Sequence, residues 1–476
     1  MLQYALKRCL LIPPTFFLVS IVIFVVLNLA PGRPGEQAQL NGEKAGTQQR
    51  ESYRIFKEQF NLDKPILLNT RFALSQNEVL ELLQRAYGLG PQQSLAVKLR
   101  AQNELEDLGS YLVRHLIAMM DSKPDERLVR AITTQLVQAA RRPLLSDSGP
   151  NNQAARITNR KISAQNADFM NWTLAETATS EQVAETSQNW LGWWQLNHSD
   201  FEYQGNVKVR IFLTDTRFYK YWWNLLHLDF GQSTADRRPV LPTIISKLRY
   251  SLTLTLISVL LAYLVAIPLG IWSAVRQNTK ADTAVTITLF ILYSLPTFFV
   301  GTVFLRLFTE GDPLAWFPAG DFESFGADSM TTLQRIADVT WHLVLPISAY
   351  TLGSLAALSR YARTGLVDVI RADYVRTARA KGLHEFVVIV KHAARNGMIP
   401  ILTLLGSLLP VLVSGSVVVE VIFNIPGMGL YLYDAINLRD YNAVMGVLMI
   451  ASVLTLFGIL ISDLSYAFAD PRITFD

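Results

Sequence analysis

The chain has 476 residues, a formal net charge of +4, half of its residues hydrophobic and 17% charged. Soluble domains carry about a quarter charged residues, so this composition points to a membrane protein, and the near-balanced charge gives nucleic-acid binding no support. One cysteine, Cys9, excludes an intrachain disulfide, and the six histidines are scattered.

Lys7-Arg8 opens onto an uncharged run from Cys9 to Gly32. A basic start before apolar residues also fits a cleaved secretion signal. The run, however, is long enough to span a hydrocarbon core of roughly 30 Å, and Pro31 follows Ala30 where cleavage would fall. A retained first span with its N-terminus in the cytoplasm is expected, with Cys9 as inert packing inside it. Pro13 and Pro14 stand near its start, where missing N–H groups cost least.

Residues 33–69 are polar and read as an extracytoplasmic linker. Residues 70–216 contain no run of spanning length and read as soluble and mainly helical. Leu105, Leu108, Leu112 and Leu116 recur at helical spacing, as do Leu128, Ile132, Leu136 and Ala140. Charges there nearly cancel, with 15 Lys/Arg against 16 Asp/Glu, and Ser146–Asn152 reads as a loop. Trp190, Trp193 and Trp194 share one helical face, where the anchor of a small core fits better than a ligand site.

An extracytoplasmic return segment, 217–249, leads to the remaining spans. Uncharged runs cover Tyr250–Val275, Thr283–Leu305, Trp341–Ser359, Met398–Val419 and Tyr441–Ser462, each near the roughly 20 residues a spanning helix needs. With the first run they make six. Alternation from an inside N-terminus puts Arg276–Lys280, the 360–397 loop and Arg472 in the cytoplasm. Glu310–Thr340 and Glu420–Asp440 fall outside, and both carry more acids than Lys/Arg. Span count and the positive-inside rule agree. Pro268, Pro296 and Pro410, with Gly270, Gly301, Gly406 and Gly415, interrupt apolar runs. Such residues suit either gating or ordinary helix packing. Glu420 and Asp463 are expected at span ends, from which a carboxylate can reach the interface.

The 360–397 loop carries eight Lys/Arg against three acids between Ser359 and Gly397. Ala372, Ala378 and Ala380 precede Gly382, as in a short helix that meets another surface closely and then turns. A second amphipathic segment, Phe386–Ala394, follows. This is the pattern of a docking loop. Catalytic motifs are missing: there is no Gly-x-x-x-x-Gly-Lys-Ser/Thr phosphate loop and no Gly-x-Ser-x-Gly elbow. His384-Glu385 begins like a zinc-protease helix, but Val388 stands where the second histidine belongs. No catalytic residue and no metal site are expected.

The phrase Arg376-Thr377-Ala378-Arg379-Ala380-Lys381-Gly382 resembles the cytoplasmic loop of ATP-binding-cassette (ABC) import permeases in their dipeptide and oligopeptide branch. The general pattern is Glu-Ala-Ala, three residues, Gly, nine residues, then Ile-x-Leu-Pro. Arg376-Thr377-Ala378 fills the first block here and His392-Ala393-Ala394-Arg395 the last, departures similar to those of the peptide branch. Leu29-Ala30-Pro31-Gly32, Leu62-Asp63-Lys64-Pro65, the aromatic stretch Phe218–Trp223 and Asp229-Phe230-Gly231 are similar to that branch as well. So are Val418–Phe423, Pro426-Gly427-Met428-Gly429, Arg439-Asp440-Tyr441 and Asp470-Pro471-Arg472-Ile473. These phrases bracket everything except about 150 residues, which therefore read as an insertion.

The resemblance implies an all-α integral membrane protein of the type I ABC importer permease fold. Six transmembrane helices are expected, with a mainly helical periplasmic domain inserted at 70–216 after the first helix (1–32) and a five-helix core over 250–476. Asp373, Tyr374, Arg376, Thr377, Ala378, Arg379, Ala380, Lys381 and Gly382 would form the coupling helix seated in a groove on a separate ATPase. Pro296, Glu420, Pro426, Gly427 and Gly429 are the candidates for the translocation path or gate. Implied partners are a second permease subunit in a heterodimer, two ATPase subunits and an extracytoplasmic substrate-binding protein. ATP and Mg would sit on the ATPases, and no cofactor on this chain. Both termini would be cytoplasmic, in the inner membrane. Peptides are the implied cargo, although relatives carry nickel chelates, sugars or opines. Two other classes compete. An ion-coupled secondary transporter should place ionisable residues near the bilayer midplane. A membrane-anchored scaffold would merely display the 70–216 segment.

Overall fold

The computed structural model describes residues 2–29, 57, 60–91, 93–122, 124–142, 144, 152–175, 177–309, 314–394, 397 and 416–469. Most of the expected Met398–Val419 span, with Gly406, Pro410 and Gly415, lies outside the described residues. So do Ala30-Pro31-Gly32 and the terminal Asp470–Ile473. No β-strand occurs among the described residues. The chain divides into two compact units, Met1–Glu43 with His227–Asp476, and Lys44–Leu226.

Helix α1 (Leu2–Leu29) carries Pro13 and Pro14 inside it rather than in its first turn, because the helix begins before the uncharged run does. Leu10, Leu18, Val22 and Val26 are exposed on it, as lipid-facing side chains should be. Cys9 is exposed too rather than packed.

The Lys44–Leu226 unit is a helical domain built from α2 (Gln76–Tyr87), α3 (Leu95–Leu108), α4 (Val113–Asp121), α5 (Glu126–Ala140), α6 (Gln153–Asn171), α7 (Ser180–Asn197), α8 (Asn206–Thr214) and α9 (Arg217–Leu226). Local chemistry sets several boundaries. Ser75 and Glu78 form a capping box at the start of α2, which ends at the left-handed Gly88. Asp125 caps α5, and Thr179 with Gln182 boxes the start of α7. Each such cap stabilises by about 1 kcal/mol. The leucine stripe read from the sequence is the core: Leu105, Leu112, Leu116, Ile132 and Leu136 are fully buried together. Trp190 is buried as well, with its ring stacked 5.0 Å from Phe169 and edge-on to Trp172 and Trp193. The tryptophan face is a core anchor. Both ends of the domain are sewn to each other. Arg217 N donates to Pro65 O and Phe218 N to Ile66 O, and the Arg217 guanidinium donates to the carbonyls of Lys64 and Leu62.

In the other unit, α10 (Val240–Val275) and α13 (Thr332–Ile370) pack along their length. At 36 and 39 residues and 1.5 Å per residue they run about 54 and 58 Å, well beyond a bilayer core. Gly270 is the close-approach point: a Cβ there would lie 2.4 Å from Ala362 Cβ and 2.7 Å from the Ser359 carbonyl. Thr351 and Ser359 hydroxyls donate across the seam to the carbonyls of Ser258 and Ala266. Gly270 therefore serves packing, and Gly301 does likewise against Ile422 and Phe423.

The expected single span Thr283–Leu305 is instead two helices, α11 (Lys280–Ser294) and α12 (Thr297–Phe308), bent by 95°. Pro296 causes the break: it cannot donate to the ladder and holds Leu295 extended. Helix α14 (Asp373–Ala380) follows α13, then α15 (Val417–Ile422), α16 (Met428–Asn437) and α17 (Tyr441–Ala469). Helix α1 packs on α17, with Leu27 against Ala443 and Val444. Among the described residues four helices are long and apolar enough to cross a membrane, and the bent pair makes a fifth.

Candidate functional site

The segment with the docking pattern begins inside α13, not after it. Residues 360–370 are the last three turns of that helix, so Arg360 and Arg363 sit on a rigid element rather than on a loop. A one-residue hinge at Ala372, extended at ψ 149, starts α14. Val375 and Ala378, three apart and both buried, face Leu366, Ala274, Val388, Ala393 and Ala394. That single buried edge leaves Asp373, Tyr374, Arg376, Thr377, Arg379, Ala380 and Lys381 exposed. The helix ends where Lys381 N donates to Thr377 O and Gly382 N to Arg379 O, with Gly382 at φ +75. Such a left-handed position favours glycine. Across the turn Arg379 Nη2 lies 2.7 Å from Glu385 Oε1, and the guanidinium's hydrogen bonds hold the Glu385 carboxyl below its usual range. Both side chains are exposed, so this pair orders the turn more than it stabilises the fold.

The second amphipathic segment differs from expectation. A single turn at Glu385–Val387 runs into π-helical backbone over Val388–Ala394. The wider turn puts Val388 and Ala393, five residues apart, on the same buried side, whereas an ordinary helix would turn one of them outward. Phe386 and Val390 remain exposed.

Directly beside this platform is a charged cluster that the sequence reading missed. Asp282, almost fully buried, takes a two-pronged contact from Arg363, Nη2 at 2.8 Å and Nε at 3.1 Å. It also accepts from the Ser273 hydroxyl and from Asn278 N. The cluster ties the ends of α10, α11 and α13 at one point. Its sequence signal was faint: one acid at the edge of an apolar run, and one arginine counted with the basic loop.

On the opposite side of the span order, Glu420 is fully buried and does not reach an interface as expected from its place at a span end. Its carboxylate accepts from Ser251 Oγ (2.7 Å), Gly429 N (2.6 Å) and Leu430 N (3.0 Å). Ser251 Oγ in turn accepts from Met428 N. The start of α16 thus presents its free N–H groups to a carboxylate, the arrangement a helix N-terminus favours. Gly427 and Gly429 are needed for space: a Cβ on Gly427 would lie 2.5 Å from both Glu420 Oε2 and Ser251 Oγ, and one on Gly429 would lie 2.7 Å from Val417 Cα. Glu420, Gly427 and Gly429 therefore come together, with Pro426 in the same turn. Pro296 stands apart at the α11–α12 bend. A third buried acid, Asp440, accepts from Ser233 Oγ (2.5 Å) and Thr234 N (3.1 Å), which joins the residues just after the Asp229-Phe230-Gly231 stretch to the start of α17. Among the described residues no group of three or more His, Cys, Asp or Glu is placed to hold a metal ion.

Residues 266–475, which hold α13, the α14 platform and the Glu420 clamp, match the family described as "Binding-protein-dependent transport system inner membrane component". The chain is 38% identical over 260 residues to the oligopeptide transport system permease protein AppB of Bacillus subtilis (strain 168), covering 54% of this chain and 80% of that protein. It is 32% identical over 384 residues to the inner membrane ABC transporter permease protein YejB of Escherichia coli O157:H7, covering 78% of this chain and 100% of that protein. It is 36% identical over 262 residues to the peptidoglycan transport system permease protein YejB of Agrobacterium fabrum, covering 55% and 72%. The long apolar helices and these relatives agree: the chain belongs to the family of inner-membrane permease components of binding-protein-dependent ABC transport systems.

Proposed function

We propose that this chain is the permease subunit of an ABC importer for peptides, with Asp373–Gly382 as the surface that engages a separate ATPase. The observation that carries the proposal is the way α14 is held. One apolar edge is buried in a cluster with the π-helical segment Val388–Ala394 and the ends of α10 and α13, while seven of its polar or small residues and the Gly382 turn are left exposed. A helix fixed so firmly on one side and so bare on the other is a lever. Force applied to its exposed face passes through Val375 and Ala378 to α13, which is long enough to carry it across the membrane. Peptide cargo is supported by the relatives, an oligopeptide transport system permease among them. The partners would be a second permease, two ATPases carrying ATP and Mg, and an extracytoplasmic substrate-binding protein.

Affinity purification of the tagged chain from native membranes tests the reading, with an ATPase and a second permease expected to co-elute. Recovery of neither would leave the displayed-scaffold alternative standing. Glu420 and the Pro426–Gly429 turn would act as a rigid clamp beside the path rather than as groups lining it, since the carboxylate's bonds are all made within the protein.

The 70–216 segment would be an insertion facing the periplasm. The hydrogen bonds joining Lys64–Ile66 to Arg217 and Phe218 support this reading, because an inserted domain has to leave and return at one place. Single cysteines at Ser180 and Lys280, both exposed, should separate the sides in a Cys9→Ala background. An impermeant thiol reagent, applied to cells with a permeabilised outer layer, should label position 180 and spare position 280. The opposite pattern would invert the topology and remove α14 from the cytoplasm.

A further inference from the structure

The Lys44–Leu226 unit carries an open-sided cavity of about 600 Å³, inside the roughly 300–1,000 Å³ range of small-ligand sites. Its walls come from the Asn61–Arg71 stretch, the Glu106–Tyr111 turn and the end of α5 from Gln135 to Arg142. Two groups in these walls have hydrogen-bond donors that the protein does not use. Gln135 is 3% exposed; its Oε1 accepts from the Tyr87 hydroxyl, but its Nε2 has no partner among the described residues. A buried amide donor left unmet costs about 1–3 kcal/mol, a cost that a bound acceptor removes. Arg71 is the second. One guanidinium nitrogen donates to the Asp107 carbonyl, and no carboxylate among the described residues lies within ion-pair distance of it.

The charge around Arg71 is unevenly met. Lys64 lies 3.5 Å from both Asp63 Oδ2 and Asp215 Oδ1, and Lys220 lies 3.9 Å from the same Asp215 oxygen and donates to Asn61 Oδ1 at 3.0 Å. The other oxygen of Asp215 is taken by the Tyr111 hydroxyl at 2.7 Å and Asn69 Nδ2 at 3.0 Å. Burial, and then the neighbouring Lys64, push the Lys220 ammonium below its usual range against the opposing pull of Asp215 and Asp63. Elsewhere in the cavity Lys57 and Arg142 have acids beside them. Lys57 meets Asp107 at 2.6 Å and Glu106 at 3.7 Å, and Arg142 meets Asp200 at 2.5 Å. Arg71, Lys64 and Lys220 thus place three cations at one end of the cavity against two carboxylates, Asp63 and Asp215.

We propose that this cavity is a binding site for a short peptide. Its terminal carboxylate would be received by Arg71, Lys64 and Lys220, and a peptide carbonyl would accept from Gln135 Nε2. In naming a peptide the proposal rests on the importer reading; the site itself rests on the donors. It gives the domain a cargo-holding role separate from the α14 platform and from the Glu420 clamp. The shared chemistry with free phosphate is the oxyanion, and only the peptide offers Gln135 a carbonyl as well.

Isothermal titration of the purified full-length chain in nanodiscs tests this with trialanine, trialanine C-terminal amide and inorganic phosphate. Trialanine should bind, and the amide should bind about tenfold more weakly or worse, the scale of one charge-assisted contact. Arg71→Gln should weaken trialanine by about tenfold or more, while Arg71→Lys keeps part of the affinity. Gln135→Leu should weaken trialanine several-fold and leave phosphate alone. Tryptophan fluorescence from the Trp190 cluster checks that each variant is folded. No binding of trialanine at millimolar concentration, binding of phosphate alone, or unchanged affinity in a folded Arg71→Gln variant would each overturn the proposal. Direct binding to the isolated chain needs no ATPase. Its failure thus leaves the importer reading intact, and failure to co-purify with an ATPase leaves the cavity standing.

Discussion

Gly382→Val is expected to abolish transport-linked ATP hydrolysis while the protein stays in the membrane at normal abundance. Gly382 sits at φ +75, and a Cβ placed there meets nothing within 4 Å. The damage is therefore conformational and local. A non-glycine residue in the left-handed region costs roughly 1–2 kcal/mol, and a β-branched one more. The chain escapes that cost by swinging the turn out of its geometry. What it loses is the placement of Arg379, Lys381 and the Arg379–Glu385 bridge on the exposed side of α14. The buried edge, Val375 and Ala378, is untouched, so membrane insertion should not suffer. ATPase activity of the reconstituted complex, stimulated by loaded binding protein, is the measurement. Gly382→Asn should retain a substantial part, because asparagine tolerates φ above zero, and Gly382→Ala should fall between. Full stimulation in the valine variant, with the complex intact, would falsify the idea that this turn forms the ATPase contact.

What could be read from the sequence divides along physical lines. Periodicity exposed the leucine stripe of α3 to α5, because a buried helical face needs the 3.6-residue repeat. The short helix before Gly382 was legible from the small residues Ala372, Ala378 and Ala380 and from a glycine with a conformational purpose. Hydropathy found the long helices but set their ends at the charges. It could not tell that α10 and α13 continue past Arg249 and Arg360 as rigid rods beyond the bilayer core. The break at Pro296 was visible as a proline, yet one proline can kink a helix or end it, and only the direction taken by α12 decides. Glu420 was misjudged because position along the chain says nothing about which N–H groups converge on a carboxylate. Serving it takes Ser251 from 169 residues away and a turn folded back by Gly427 and Gly429. Asp282 was invisible for a related reason: an ion pair between residues 81 apart leaves no local pattern. The contacts that hold Glu420 and Asp282 are long-range and polar, whereas sequence periodicity reports short-range apolar ones.

Asp282→Ala should uncouple the transporter without touching any residue of α14. Asp282 is the only carboxylate among the described residues that pairs with Arg363, and it receives both prongs of that guanidinium, the Ser273 hydroxyl and Asn278 N. Deleting it leaves a half-buried arginine unpaired and two donors unmet, a destabilisation of about 2 kcal/mol or more. The consequence for function follows from where the cluster lies. α10, α11 and α13 are fastened there, and Gly270 packs against Ala362 and the backbone of Ser359 and Arg363 within the same turn. A push on α14 moves α13, and α13 can carry α10 and α11 with it only if their ends move as one body. Asp282→Ala should therefore lower the melting temperature of the purified chain. It should also leave the ATPase bound and cut transport in proteoliposomes far more than it cuts ATP hydrolysis. The double variant Asp282→Ala/Arg363→Leu removes the stranded charge, so it should regain stability over the single variant. It should not regain coupling, because no fastening has been restored. Recovery of transport in the double variant would mean that the stranded charge, and not the lost link between helices, caused the defect. Transport equal to wild type in Asp282→Ala itself would remove this cluster from the path between the ATPase and the spans.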